Sequence, residues 1–349
     1  MPIRFRRSMR LGPGVRLNLA KKSAGISFGG PGMRYSVNTA GRTWRSAGVP
    51  GTGLSHVSVS SGGKRGRDGS RSHTEAPPPS PKDIERVIPR AGFFSSGAEK
   101  AYRAGVVAFA QGKSEEAERK FAEAAERDEK HISDELFRAV ALVRLGRNQD
   151  AIEPLERVVE STIALPDKWL RKYSRPLLLG LRVRIAPGVS VDAPFDSSGA
   201  ALLLAQIYQE AGDIDDALDV LEGMGEAGFD EQVIALALAD LHVEKEDWNQ
   251  VLDLTEGIDN EDDATAALLA YRGLALLEQG LARGALDVLR AALRSRARND
   301  EVLVQARYLR GRAYEELGQR KRALNDYERT LAIDHNHEDA AAGVERLRQ

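Results

Sequence analysis

Five arginines, Arg4, Arg6, Arg7, Arg10 and Arg16, fall within the first sixteen residues of this 349-residue chain, with no acid between them. Guanidinium groups at this density suit phosphate oxygens, and each such contact releases a counterion and so gives steep salt dependence. Phe5, Tyr35 and Trp44 lie close enough in sequence to add rings on which bases stack. The same composition also describes a small sheet with one solvated basic face. Other chemistry is sparse. His335 and His337 stand beside Asp334, Glu338 and Asp339 and have metal-ligand types, but they fall at a turn, where solvated side chains are the simpler reading. Gly62-Gly63-Lys64-Arg65 lacks the spacing of a P-loop, and the glycine runs 29–32 and 51–53 are not followed by a helix whose N-terminus would hold a phosphate. Glu115-Glu116 and Asp215-Asp216 sit at helix starts, where acids complement the helix dipole. No Ser/His/Asp arrangement emerges. Zero cysteines exclude disulfides, thiolate nucleophiles and Cys-built zinc or iron–sulfur sites. The expectation is therefore a protein that is not an enzyme, with no catalytic residues, metal or cofactor.

The elements that must position the arginines come next. Ile3 to Arg7 and Val15 to Leu19 alternate apolar and polar residues, the period of a half-buried strand, and Gly12-Pro13-Gly14 between them signals a turn. Further alternation at Ile26 and Phe28, then at Met33, Tyr35 and Val37, then at Leu54, Val57 and Val59, is separated by Gly/Pro turns. Such spacing predicts a small all-β unit over residues 1–60. That unit holds ten Lys or Arg and no acid, whereas from Gly92 onward 48 acids face 33 bases. Opposite sign makes docking of the basic unit on the acidic body a possible assembly contact. Residues 61–90 are rich in Gly, Ser and Pro with almost no large apolar side chain, which predicts a disordered linker. Ser80-Pro81-Lys82-Asp83 then reads as a helix start, with a short helix over Asp83 to Val87. No stretch approaches the roughly 20 apolar residues of a membrane helix, and the opening lacks the apolar core of a secretory signal. The chain is expected in the cytoplasm.

The run RFRRSMRLGPGVRLNL, followed by SFGGPGMRYSV and GVPGTGLS, resembles a short domain of unknown function found at the N-termini of bacterial proteins. The resemblance covers about the first 55 residues and implies no activity. Arg7 keeps the basic residue usual at the family's seventh position, and Asn38 to Ala47 departs from its pattern.

From residue 91 the chain repeats itself. AYRAGVVAFAQGKSEEAERKFAEAAERD, from Ala101, aligns with RYLRGRAYEELGQRKRALNDYERTLAID, from Arg307, so that Gly105 meets Gly311, Gly112 meets Gly318, and Phe121 meets Tyr327. This resembles the tetratricopeptide repeat, a helix–turn–helix unit of about 34 residues. Equivalent small residues Ala139, Ala205, Ala239 and Gly273 include three steps of 34 residues. Six repeats are expected, beginning near Ala98, Ile132, Ser198, Gln232, Ala266 and Val304, the fourth degenerate with Glu246 at the turn glycine and Val251 at the second small site. A capping helix should span Glu338 to Leu347. The predicted architecture is a mainly α solenoid over 91–349, because one helix pair cannot bury its apolar face alone and pairs must stack, leaving a concave surface lined by the first helices.

Between the second and third repeats lies an insertion, 162–197. Leu181, Val183 and Ile185 alternate with Arg182 and Arg184, and Ala186-Pro187-Gly188 turns into Val189 and Val191. A β-hairpin projecting from the array is predicted, either as part of the binding face or as a spacer over the edge of the second repeat; Trp169 and Tyr173 suit both.

The resemblance also assigns inward positions: Tyr102, Val106, Phe109, Leu136, Val140 and Arg144, then Leu202, Gln206, Gln209, Leu236, Asp240 and Val243, and finally Leu274, Leu277, Tyr308 and Arg312. Of these, Tyr102, Phe109, Arg144, Gln206, Gln209, Asp240, Tyr308 and Arg312 are the candidate contacts to a protein or peptide partner. Tyr102, Val106, Phe137, Gly199 and Leu203 occupy positions where carboxylate-gripping members of the family place Lys or Asn, so a carboxylate clamp is not expected. The function implied is a protein–protein interaction scaffold. The alternative is nucleic-acid or anionic-surface binding by Arg4, Arg6, Arg7, Arg10 and Arg16, with the array serving assembly.

Overall fold

Four of the described first helices begin where a side chain satisfies free amides of the first turn. Ser96 accepts from Glu99 N ahead of α1 (Gly97–Ala110), Asp196 accepts from the amides of Ser198 and Gly199 ahead of α6 (Ser197–Ala211), and Asp262 forms a capping box with Thr265 ahead of α10 (Asp263–Glu278). Asn299 caps α12 (Asp300–Glu316). These last two caps start their helices three to four residues earlier than the repeat spacing predicts.

The computed structural model describes the strand segments 6–12, 15–20, 23–28, 33–38, 42–48 and 55–61 by their backbone, and then residues 85–174, 177, 179–226, 231–295 and 297–349. The strands β1 (Arg6–Gly12), β2 (Val15–Ala20), β3 (Ser23–Phe28), β4 (Met33–Asn38), β5 (Arg42–Gly48) and β6 (Ser55–Ser61) pair antiparallel in chain order. β1 pairs with β2 so that Arg6 stands opposite Ala20 and Arg10 opposite Arg16. Ile3, Arg4 and Phe5 lie outside the described residues, as does most of the expected linker. At its end a helical turn occupies 85–87, Ile88 is buried, and Arg103 Nε donates to the Pro89 carbonyl at 2.7 Å. Ile88 thus packs into the core of the array.

Among the described residues, six helix pairs follow. They are α1 with α2 (Ser114–Arg127), α3 (Ser133–Arg144) with α4 (Ile152–Glu160), and α6 with α7 (Ile214–Glu226). Then come α8 (Glu231–Glu244) with α9 (Trp248–Leu254), α10 with α11 (Ala282–Ala292), and α12 with α13 (Arg320–Leu331). A final helix, α14 (Glu338–Arg348), packs on α13. The small residues lie where helices cross. A Cβ on Gly311 would stand 2.6 Å from Cε1 of Tyr327, so the ring occupies the space that a side chain would need. Ala139, Ala205 and Ala239 fill the equivalent positions and are buried. Glycines with positive φ close the turns of the other pairs, at Gly112, Gly146, Gly212, Gly280 and Gly318, and in the fourth Glu246 takes φ 55° in their place.

Candidate functional site: the inner face of the array

The chain leaves the array after α4 and returns at α6, yet α4 packs directly on α6, so the second repeat stacks on the third as if the insertion were absent. The inserted residues make α5 (Lys168–Tyr173) and an antiparallel hairpin of β7 (Gly180–Ala186) and β8 (Val189–Pro194). They do not project from the array. Helix α5 packs on α1, β7 on α6 and α8, and β8 on α6 and α10. At the tip, a Cβ on Gly188 would lie 2.9 Å from Asn299 Oδ1 and from the Glu301 Cβ, which brings the hairpin to the start of α12. The insertion therefore covers first helices from the first repeat to the sixth. The physical reason is its own alternation: Leu181, Val183, Ile185 and Val189 form an apolar strip that is buried on the helices, while Arg182 and Arg184 face outward. A two-stranded hairpin is marginal alone and gains its stability from such packing.

This placement redefines the predicted groove residues. Tyr102 is fully buried, with its ring centroid 5.2 Å from Trp169 and 6.0 Å from Tyr173, and its hydroxyl lies 2.9 Å from Ser133 Oγ. It is a core residue with no exposed surface; Val106, Leu136, Leu236 and Leu277 are buried likewise. Tyr173 and Lys172 hold Glu99 at 2.8 and 2.6 Å. Burial alone would push the Glu99 carboxyl up, but hydrogen bonds from Lys172, Ser95 and Tyr173 outweigh it and bring the pKa down to about 2. Phe109 is buried beneath the Arg144 guanidinium, whose carbon sits 3.8 Å from the ring centroid.

The polar candidates are drawn into contacts that join neighbouring repeats. The Arg184 amide donates to Gln206 Oε1 at 3.0 Å, and Gln206 Nε2 donates to Glu210 at 2.8 Å. Gln209 Nε2 donates to Asp240 Oδ2 at 2.8 Å and to Glu244 at 2.5 Å, and the Tyr271 hydroxyl donates to the other Asp240 oxygen. Burial keeps the Asp240 carboxyl above its ordinary range in spite of these donors. Amide, acid and phenol thus tie α6, α8 and α10 together.

Beyond the hairpin the inner face opens. A cleft in the last repeat is lined by Tyr308, Arg312, Glu315, Glu316 and Arg346. Arg312 donates to Glu278 at 2.9 Å, and Arg346 makes a two-pronged contact to Glu315 at 3.0 Å on each prong. The Tyr308 ring lies 4.6 Å from His337, which caps α14 through Nδ1. Among the described residues, sequence reasoning passed over one regularity. Glu210, Glu244 and Glu278 recur at 34 residues and Glu316 at 38, the steps of their repeats, and all four are exposed. The signal lay in the spacing already used to find the small residues.

The side chains of Arg4, Arg6, Arg7, Arg10 and Arg16 lie outside the described residues. No described helix is long and apolar enough to cross a membrane.

No curated protein matches the sequence. Among solved structures, the N-terminal domain of the EccA1 ATPase from the ESX-1 secretion system of Mycobacterium tuberculosis is similar, at 17% identity and a TM-score of 0.48, over 71% of this chain and 88% of that one. YrrB, described as a tetratricopeptide-repeat protein with an unusual peptide-binding site, is similar at 18% identity and a TM-score of 0.41, over 64% and 97%. A tetratricopeptide-repeat protein from Parabacteroides merdae matches at 14% identity and a TM-score of 0.41, over 77% and 91%. Residues 3–57 match a family described as protein of unknown function, DUF4236. Residues 304–337, which are α12, α13 and the turn after them, match the tetratricopeptide repeat. One helix pair of the array thus matches the tetratricopeptide repeat, and the N-terminal segment matches a family of unknown function.

Proposed function

We propose that this protein is a non-enzymatic interaction scaffold whose inner helical face takes a segment of a protein partner. The observation that carries the reading is the seating of an extended segment on that face within the chain itself: β7 lies along α6 and α8, its apolar residues inward and its Arg184 amide on Gln206. The first helices thus offer what peptide recognition needs, an apolar floor with hydrogen-bonding side chains at its rim. The open remainder at Tyr308, Arg312, Glu315, Glu316 and Arg346 is where a partner makes first contact. We place the N-terminal residues 1–60 beside this as a small all-β unit, a second attachment point.

The test is capture from lysate by the full chain and by a Tyr308→Ala, Arg312→Ala double variant, with nuclease added throughout. A defined polypeptide held by the parent and lost from the variant supports the reading. Equal capture by both moves the site away from the cleft, and capture that vanishes with nuclease moves the function to nucleic acid.

A further inference from the structure

The array closes behind the insertion, with α4 on α6, and the later first helices pack directly on one another, α8 on α10 and α10 on α12. At α6 and α8 the hairpin lies against both first helices, β7 meeting each of them. The apolar strip of the hairpin lies on the surface that, in an array of this kind, is left concave for binding. Its outer side carries Arg182 and Arg184, 73% and 56% exposed, and Arg184 points to Glu210 at 3.7 Å, the first of the four recurring glutamates.

We propose that the hairpin β7–β8 is an internal ligand of the inner face, displaced by a partner segment of the same chemistry: an extended stretch with apolar side chains at alternate positions and arginines between them. The proposal rests on the scaffold reading and adds to it what the face recognises and what holds it closed. The apolar positions take the place of Leu181, Val183 and Ile185, and the arginines meet Glu210 and the glutamates that follow it along the face.

Displacement requires that the hairpin open without unfolding the helices beneath it, since a ligand selects a state the protein already visits. Hydrogen exchange on the full chain, read by mass spectrometry, measures this. The expected result is that amides of 180–194 exchange at least about tenfold faster than those of α6 and α8. Exchange of both only in a common unfolding event makes the hairpin part of the core and overturns the proposal. A labelled synthetic peptide of residues 179–195 supplies the second reading. It should bind a Val183→Asp, Ile185→Asp chain, whose own strip cannot stay buried while α6 and α8 are unaltered, at least about tenfold more tightly than the unmodified chain, because the intact hairpin competes at high effective concentration. Binding to neither, or equal binding to both, overturns the proposal; if the doubly substituted chain does not fold, the exchange result on the unmodified chain decides alone. A hairpin that opens in a chain capturing no polypeptide fails the scaffold reading, whereas a locked hairpin in a chain that does capture one fails only this inference.

Discussion

The backbone amide of Arg184 donates to the side-chain oxygen of Gln206 across 3.0 Å, and this bond joins the outer edge of β7 to the middle of α6. Gln206 occupies an inward position of the third repeat, so the hairpin engages the array at a place where a partner strand would. Gln206→Ala removes the acceptor and leaves the amide to water. A bond of this kind contributes about 1 kcal/mol net, so exchange at the Arg184 amide should quicken about fivefold while α8 amides keep their rates. Amide exchange followed by NMR checks it.

Gly199 meets Pro194 where β8 hands over to α6. A Cβ there would lie 2.0 Å from the Pro194 carbonyl oxygen and 3.0 Å from Leu181 Cδ1, so backbone must move. Gly199→Ala is expected to cost about 1 to 3 kcal/mol, the range for overpacking. Gly223, on α7, is the control: nothing lies within 4 Å of its built Cβ, and Gly223→Ala should gain up to about 1 kcal/mol from helix propensity. Urea denaturation of the two variants should shift in opposite directions.

What the sequence made legible was the part of the fold with local causes. The crossing of two helices within a repeat needs a small residue opposite a ring or a leucine, and that need recurs at each step, as Gly105, Ala139 and Gly311 do. The location of the insertion had no such local cause. Leu181, Val183 and Ile185 announce a strand with one apolar side, but which surface receives that side depends on α6, α8 and α10, up to nearly a hundred residues away. Tyr102 holds an inward position by its repeat register, and the rings that cover it, Trp169 and Tyr173, come from the insertion. Gln206 and Asp240 hold inward positions, but their hydrogen bonds to other repeats depend on packing that one helix does not specify.

Glu246 stands at the turn where the other pairs have glycine, with φ 55°. A side chain in this left-handed region costs roughly 1 to 2 kcal/mol, and part of that is returned by the lower entropy of a non-glycine residue in the unfolded chain. Glu246→Gly should therefore stabilise the fourth repeat by about 0.5 to 1 kcal/mol, although it removes a charged surface residue. Thermal unfolding reads the gain, and a loss of stability would show that the Glu246 side chain makes a contact worth more than the strain.

Asp134 is the buried acid with the clearest pH consequence. It opens α3 with no exposed surface, accepts the Glu135 amide on Oδ1 at 2.9 Å, and has no hydrogen-bond partner for Oδ2. Burial first, and then the negative charge of Glu135, raise its pKa from 3.8 to about 8. In the folded protein the carboxyl thus keeps its proton at neutral pH, while in the unfolded chain it ionises near pH 4. The stabilising contribution is complete below that value and is lost as pH rises towards about 8, because the unfolded chain releases the proton first. Above about 8 both states are ionised and the loss stops growing. Asp134→Asn keeps the oxygen that accepts the Glu135 amide and cannot ionise. The variant should match the parent at about pH 4 and below, and exceed its stability at pH 8 by roughly 5 kcal/mol. Denaturation midpoints across pH 5 to 9 test this, and parallel profiles for the two proteins would mean that Asp134 is ionised in the fold.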